Sequence, residues 1–541
     1  MRRKLLVLLQ IVLPCLALDT AIAGTWAPVT AQPPRPPGLM LLLTDGTVMV
    51  QGEPYDQWMR LSPSRSGSYQ DGSWSMLAPM RTARLYFAST VLPSGKVWVL
   101  GGEYAGPDNA LALLNTGEIY DPLADRWTPV TNHPEPRFGD DPSILLPGGR
   151  VLAGSYDTRN TWIYDPARDN WSYAAGKVYP DRSSEEGWVR LPGGSILNYD
   201  LWWSIATGGQ YAERYDPAAN RWSSISPSDG TARGTIPALG GPPLGHEMGP
   251  AVRTRDRRGA TEVLLLGANG HSALYDPRSN AWSAGPDVVG TLDGKPALFG
   301  ADDAAAAVLP NGHVLFAADA APTVGKLFSP PSALFDFDPE TRTITTVPAI
   351  PLDPLLSRLP AYVTRMLVLP TGQVLIALAG RQLWIHTPDG TARAAARPRI
   401  RQAAYQGLGA FVLRGSQLSG QSAGSAYGDD AESDENYPIL RFTSPAGEVY
   451  YARTSGWSST GVGPNREESV DFTLHPQMPA GRYRMEVIAA GIASEAACLR
   501  ITDDEVHAAP LRRPRWLTLG RCCEERDCGT EAADPASRSS R

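Results

Sequence analysis

One phrase constrains the fold of this chain more than any other: a tyrosine, an aspartate and a proline, then a tryptophan seven residues after the tyrosine. It occurs at Tyr120-Asp121-Pro122 with Trp127, Tyr164-Asp165-Pro166 with Trp171, Tyr215-Asp216-Pro217 with Trp222, and Tyr275-Asp276-Pro277 with Trp282. Phe337-Asp338-Pro339 is a weaker copy. A second phrase, a Leu-Pro-x-Gly turn between two short apolar runs, recurs at Leu92-Pro93-Ser94-Gly95, Leu146-Pro147, Leu191-Pro192, Leu309-Pro310 and Leu369-Pro370. Leu43-Thr44-Asp45-Gly46 is its first variant. Pro and Gly set the turn dihedrals, and Asp caps its own backbone. Tyr, Val, Leu and Trp supply strand surface. Each unit therefore reads as strand, tight turn, strand, loop, strand, Asp-Pro turn, strand.

Four such strands at a period of roughly 45 to 60 residues describe one blade of a β-propeller. Inner strands are predicted to start near Met40, Tyr86, Asp141, Glu186, Gly249, Asp303 and Tyr362, which makes seven blades over 38–400. The fifth is the least regular, because Arg253–Arg258 replaces the Leu-Pro-x-Gly turn. Apolar residues at helical spacing are missing beside the Asp-Pro breaks, which excludes an α-solenoid. Beyond residue 400 the pattern changes to short alternating segments such as Leu440-Arg441-Phe442 and Tyr483-Arg484-Met485-Glu486-Val487. Residues 401–503 are expected to form an immunoglobulin-like β-sandwich, and 504–541 a loosely ordered tail containing cysteines. The fold class is thus all-β.

Arg2, Arg3 and Lys4, the apolar run Leu5–Leu18 and Ala21-Ile22-Ala23 have the form of a signal peptide, 1–23, cleaved after Ala23. The run is too short to span a bilayer, so a secreted, extracellular or periplasmic monomer without a transmembrane segment is expected. A net charge of −7 argues against a nucleic-acid binder. After cleavage four cysteines remain, Cys498, Cys522, Cys523 and Cys528, all near the C-terminus. Adjacent Cys522-Cys523 suits neither a zinc finger nor a CxxC pair. Disulfides are expected instead, with Cys498 joined to Cys522, Cys523 or Cys528.

The Leu-Pro-x-Gly turn, Gly101-Gly102 and the Tyr-Asp-Pro…Trp phrase resemble kelch repeats. Seven of them followed by a sandwich resemble the galactose oxidase and glyoxal oxidase group, the mononuclear copper radical oxidases. That resemblance covers about residues 38–503 and implies a copper ion held by two tyrosines and two histidines, one tyrosine being cross-linked to a cysteine. Tyr86 falls on the position of the cross-linked tyrosine and Tyr362 on that of the axial tyrosine. Tyr104 stands where the family places an aromatic that shields the radical. Val363 occupies a required histidine position, Pro37–Gly46 lacks the cysteine, and Thr454–Ser459 lacks the second histidine. Copper(II) prefers imidazole nitrogen, and two phenols alone make a poor site for it. No copper cofactor and no radical oxidation are expected.

Neither a P-loop nor a His-Glu-x-x-His motif occurs. The acidic stretch from Asp429 to Glu435 has carboxylates for Ca²⁺ but not the EF-hand spacing, and reads as a solvated loop. A more specific pattern appears seven or eight residues before each turn proline. Those positions hold Tyr86, Asp140 with Asp141, Glu185 with Glu186, Asp302 with Asp303, and Tyr362. In the fifth unit His246 and Glu247 fall there by length. Solvated strand starts with loop-capping carboxylates would give the same pattern. Alternatively these groups converge with Tyr104 on one concave end, where they would bind a hydroxylated ligand or a hard cation such as Ca²⁺. On that second reading, Asp141→Ala or Glu186→Ala abolishes binding at an unchanged melting temperature. Three functions stay open: a non-oxidising binder of a glycan or cell-surface polymer, a divergent copper oxidase or other carbohydrate-active enzyme using the acidic pocket, and a protein-interaction scaffold.

Overall fold

The computed structural model describes residues 24–106, 109–241, 248–256, 258–348, 351–420, 436–460 and 466–522. Seven antiparallel meanders succeed one another, and an eighth, larger β system follows them. The inner strands are Pro37–Leu42, Ala88–Val91, Ser143–Leu145, Trp188–Arg190, Ala251–Arg255, Ala306–Val308 and Arg365–Val368. This is a seven-bladed propeller.

The seven-residue spacing has a direct structural meaning. It places Tyr120 opposite Trp127, Tyr164 opposite Trp171, Tyr215 opposite Trp222 and Tyr275 opposite Trp282 across the Asp-Pro turn between the two outer strands. Each tyrosine hydroxyl then donates to a side chain at the left-handed position of that turn: Asp125, Asp169 and Asn220 at 2.7 Å, Asn280 at 3.0 Å. Each tryptophan Nε1–H reaches across to the preceding blade. Trp127 donates to Ala78 O at 2.9 Å, Trp171 to Thr131 O at 2.9 Å, Trp222 to Thr161 Oγ1 at 3.2 Å and Trp282 to Ile225 O at 2.8 Å. The repeated phrase is therefore a blade-to-blade staple.

Two further staples lack the phrase. Trp74 pairs with Leu61 in the first blade and donates to Ala31 O at 2.8 Å. Trp26 lies opposite His386, with ring centroids 4.4 Å apart, and donates to Pro348 O at 3.1 Å. Trp26 belongs to Thr25–Pro28, the outer strand of the seventh blade, pairing with Leu383–Thr387. The ring is closed by its own N-terminus, so the propeller begins at Thr25 and not at 38. In the sixth blade Ile344 stands opposite Phe337 where the tryptophan would be, and Arg342 pairs with Glu262 of the fifth blade instead.

From Arg399 the chain forms a β-sandwich. Val449–Ser455 pairs with Ile439–Thr443 along one layer and, through its last three residues, with Glu467–Thr473 in the other. The segment expected as a loose tail is partly built into it. Arg515–Trp516 and Gly520–Arg521 add short strands, and a disulfide joins Cys498 to Cys522. Cys523 and Cys528 lie outside the described residues, as do the leader 1–23 and the acidic stretch 429–435.

The sandwich sits on the end of the propeller formed by the Leu-Pro-x-Gly turns. Thr454 N donates to Thr44 O at 3.2 Å, Gly456 N to Pro93 O at 2.6 Å, and Arg453 pairs with Asp45 at 3.0 Å. Gly46 is required twice over: its φ is +75°, and a Cβ there would come within 2.6 Å of the Tyr451 ring. One hydrophobic core runs from the first blade, Met49 and Trp58 included, into the sandwich at Phe442 and Phe472. The described contacts of the sandwich fall on that turn end, and the inner strands start at the opposite one.

Trp127→Phe should remove a staple and leave the Ala78 carbonyl without its buried donor. A loss of about 1–3 kcal/mol is expected in urea unfolding, against no more than ~0.5 kcal/mol for Trp516→Phe, whose ring is exposed. Equal midpoints for the two variants would contradict the staple.

Candidate functional site

The inner strands begin with a shared backbone device. Tyr86, Asp140, Glu185 and Asp303, each seven residues before a turn proline, have φ of +52°, +55°, +65° and +50°. A left-handed non-glycine residue costs roughly 1–2 kcal/mol, and its repetition in four blades marks a common turn from loop to strand. At this position Tyr86, Asp140 and Asp303 are half-buried and Glu185 is buried. The next residue, Phe87, Asp141, Glu186 or Ala304, is buried in the blade. In the seventh blade a 3-10 turn, Ala361–Val363, replaces the device, and both Tyr362 and Val363 are half-buried.

The doublets expected to act together are thus divided. Asp141 and Glu186 have no exposed surface, so they are not ligand-facing as the sequence suggested. Asp302 is likewise buried. His246 and Glu247 lie outside the described residues.

Two groups form near the starts of the inner strands. In the first, the rings of Tyr86 and Tyr104 meet edge-to-face at 5.7 Å, and the Arg365 guanidinium lies 6.0 Å from the Tyr86 ring centroid. Arg365 also donates to the carbonyl of Tyr362, whose ring contacts Phe328 at 5.2 Å. In the second, Glu185 N donates to Asp140 O at 2.9 Å, stitching the third and fourth blades. Tyr156 lies among Glu103, Asp140 and Glu185. Burial and then those three carboxylates raise its phenol above the usual range, while Arg182 opposes them. Arg182 stacks on Trp202 at 3.6 Å, and Arg137 lies over Tyr156 at 5.1 Å. Sequence reasoning missed Glu103, Tyr156, Arg182, Trp202 and Arg365. The doublet Trp202-Trp203, in a helix inserted between two strands of the fourth blade, Leu201–Thr207, was their one visible signal.

Beneath the second group, Lys177 Nζ lies 3.0 Å from Asp181, 2.6 Å from Glu186 and 3.2 Å from Asp200, and donates to Arg182 O at 2.7 Å. Asn198 donates to Glu186 at 2.9 Å, and Glu213 shares a hydrogen bond with Asp200. Burial lifts Glu186 and Glu213 well above the ordinary carboxylate range. Against its own burial, Asp200 is held below that range by Lys177 and by hydrogen bonds from Glu213 and Asp181. Ligand oxygens of Asp181, Glu186 and Asp200 lie within 4.8 Å of one another, a spacing a divalent cation can use. The Lys177 ammonium already fills that role, and it fixes the loop that carries Arg182 and Glu185.

Copper does not fit the residues present. Tyr86 and Tyr362 lie beside a guanidinium, and Val363 offers no ligand. The Thr454–Ser459 loop is wedged against Pro93 on the other end. The six described histidines stand elsewhere: His133 against Phe138 and Trp171, His386 against Trp26, His271 on Asp287, His313 on Asp336, His475 against Tyr450, and His507 at the end of the helix Asp503–Val506. Burial lowers His133 to about 3 and His386 to about 4.

Residues 84–134 match the Kelch motif family. The chain is 25% identical over 276 residues to a Kelch-like protein of Aspergillus terreus, covering 48% of this chain and 56% of that protein. It is 28% identical over 166 residues to Kelch-like protein 23 of Homo sapiens, covering 29% and 27% of the two chains. Over 104 residues it is 42% identical to an F-box/kelch-repeat protein of Arabidopsis thaliana, covering 18% and 26%. The matches thus span little more than half of the fungal relative and about a quarter of the other two. The chain is thus a seven-bladed propeller that carries a Kelch motif. Among solved structures, a fungal alcohol oxidase in complex with copper aligns over 89% of this chain and 100% of that one, at 15% identity and a TM-score of 0.49.

Glu186→Ala should lower the melting temperature, because it strips Lys177 of its nearest carboxylate. Breaking a buried pair in this way costs about 3–5 kcal/mol. A variant that melts like the parent would place Glu186 outside the Lys177 network.

Asp319 supplies a pH test. Its carboxylate accepts from Ala361 N at 2.9 Å, and burial lifts it to about 7. A raised carboxyl stabilises the fold below its unfolded value near 4, and that contribution is lost as pH rises through about 7. Asp319→Asn keeps an acceptor and should gain on the parent by on the order of 2 kcal/mol between pH 5 and pH 8. Parallel urea midpoints at the two pH values would refute the shift.

Proposed function

We propose that this chain is a secreted, monomeric kelch propeller whose end bearing the inner-strand starts binds a hydroxylated polymer, a glycan or cell-surface polysaccharide, without oxidising it. The observation that carries this reading is the set of aromatic rings backed by guanidinium groups, Tyr86 with Arg365, Tyr156 with Arg137 and Trp202 with Arg182, interleaved with half-buried carboxylates on one face. Rings offer flat apolar faces to sugar C–H groups, and carboxylates accept from sugar hydroxyls. Guanidinium groups behind the rings hold them in place. The leader and the Cys498–Cys522 disulfide support export to an oxidising compartment. Among the described residues no helix is long and apolar enough to cross a membrane. The reading uses no copper, in keeping with Val363 and the missing thiol.

A glycan array with purified protein should identify a binder, and Tyr86→Ala or Trp202→Ala should weaken it at least about tenfold, on the order of the 1.4 kcal/mol a lost ring contact removes. The parent's melting temperature should be nearly kept. Hydrogen peroxide release from alcohols or aldehydes after copper loading, abolished by Tyr86→Phe, would instead establish an oxidase.

A further inference from the structure

A second concave feature lies at the seam between the propeller and the sandwich, on the end bearing the turns of the fifth and sixth blades. It is a small, half-open cleft of about 30 Å³ whose lining includes Arg253, Arg255, Leu309, Arg393 and Ile492. Arg253 and Arg255 come from the inner strand Ala251–Arg255, where the arginine-rich segment replaces the usual Leu-Pro turn. Arg393 precedes a 3-10 turn, Ala394–Ala396, in the linker to the sandwich, and its own N–H donates to Pro310 O at 2.9 Å.

Backbone carbonyls hold each of these guanidinium groups. Arg253 donates to Arg190 O at 3.0 Å, Arg255 to Gly259 O at 2.7 Å, and Arg393 to Arg255 O at 3.1 Å. Glu340 pairs with Arg393 at 3.1 Å but keeps 56% of its side chain in solvent. The Nε–H of Arg255 is buried with no hydrogen-bond partner. Burial, and then the charge of Arg393, pull Arg255 below the ordinary arginine range. A buried donor left without a partner costs about 1–3 kcal/mol, and two like charges facing one cleft repel. An oxyanion placed between them relieves both, because a guanidinium fork matches carboxylate and phosphate oxygens.

We propose that this cleft binds a small oxyanion, a phosphate or a carboxylate, between Arg255 and Arg393, and so pins the linker and the sandwich to the propeller. The site is independent of the polymer-binding face and stands or falls separately from it.

The test is thermal unfolding of the full chain in sodium phosphate or sodium glucuronate, each against sodium chloride at matched ionic strength. A saturable rise in melting temperature is expected with at least one of the two, growing as the logarithm of ligand over Kd. Phosphate alone would assign a tetrahedral anion, glucuronate alone a carboxylate. Arg393→Gln, and separately Arg255→Gln, should abolish the rise, while Arg278→Gln, on an exposed turn, should keep it. Calorimetric titration of the unmodified chain, with one anion bound per molecule expected, decides the matter even if both variants fail to fold. Shifts equal to those in chloride, a shift surviving in Arg393→Gln, or no binding heat would overturn the proposal.

Discussion

Everything in this molecule hangs on a tryptophan N–H that leaves its own sheet. A four-stranded meander satisfies its internal hydrogen bonds but has two faces to bury, and it can do so only against neighbours. Facing sheets pack without direction. The indole N–H adds direction by docking on a single acceptor of the previous blade, as Trp127 does on Ala78. Ala78 is gripped at both groups, since its N–H donates to Asp125 at 2.9 Å, the same residue that receives the Tyr120 hydroxyl. Three side chains of one turn thus fix the relative setting of two blades. Repetition of that setting makes a ring.

Once the ring is set, its two ends differ in kind. Turns between the first two strands are tight and shallow, with little room for side chains, and the sandwich settles on them through backbone contacts at Thr44 and Pro93. At the other end, loops of varied length meet left-handed strand starts, which turn one residue outward and the next inward. That single backbone choice separates half-buried Asp140 from fully buried Asp141. Adjacent carboxylates consequently serve different purposes, one on a surface and one inside a blade.

The legible part of the sequence was whatever repeats. Tyr-to-Trp spacing and the Leu-Pro-x-Gly turns located seven inner strands and the change to a sandwich near residue 400. Features made once were hidden. Thr25–Pro28 closes the ring with a tryptophan whose partner, His386, is 360 positions away, so no local phrase announced it. Lys177 reads as an ordinary strand-end lysine, and only the fold brings Asp181, Glu186 and Asp200 around it. Stepping back seven or eight residues found the right turn in the second, third, fourth and sixth blades but could not tell outward from inward, since that depends on φ at one residue. Arg365 and Tyr156 entered the site through loops of unrelated length.

Closure by the N-terminal strand carries a consequence for the order of events during folding. Trp26 finds its partners in Pro348 and in the strand Leu383–Thr387, more than 320 residues downstream. Such a contact forms only after a very long loop closes, and it is slow for that reason. While the chain is being made, this strand must wait for one formed near the end of the propeller. Until then Leu383–Thr387 is an unpaired sheet edge, open to strands of other molecules. The ring is therefore a clasp rather than a stack, and the molecule becomes safe from its neighbours at the moment the clasp engages.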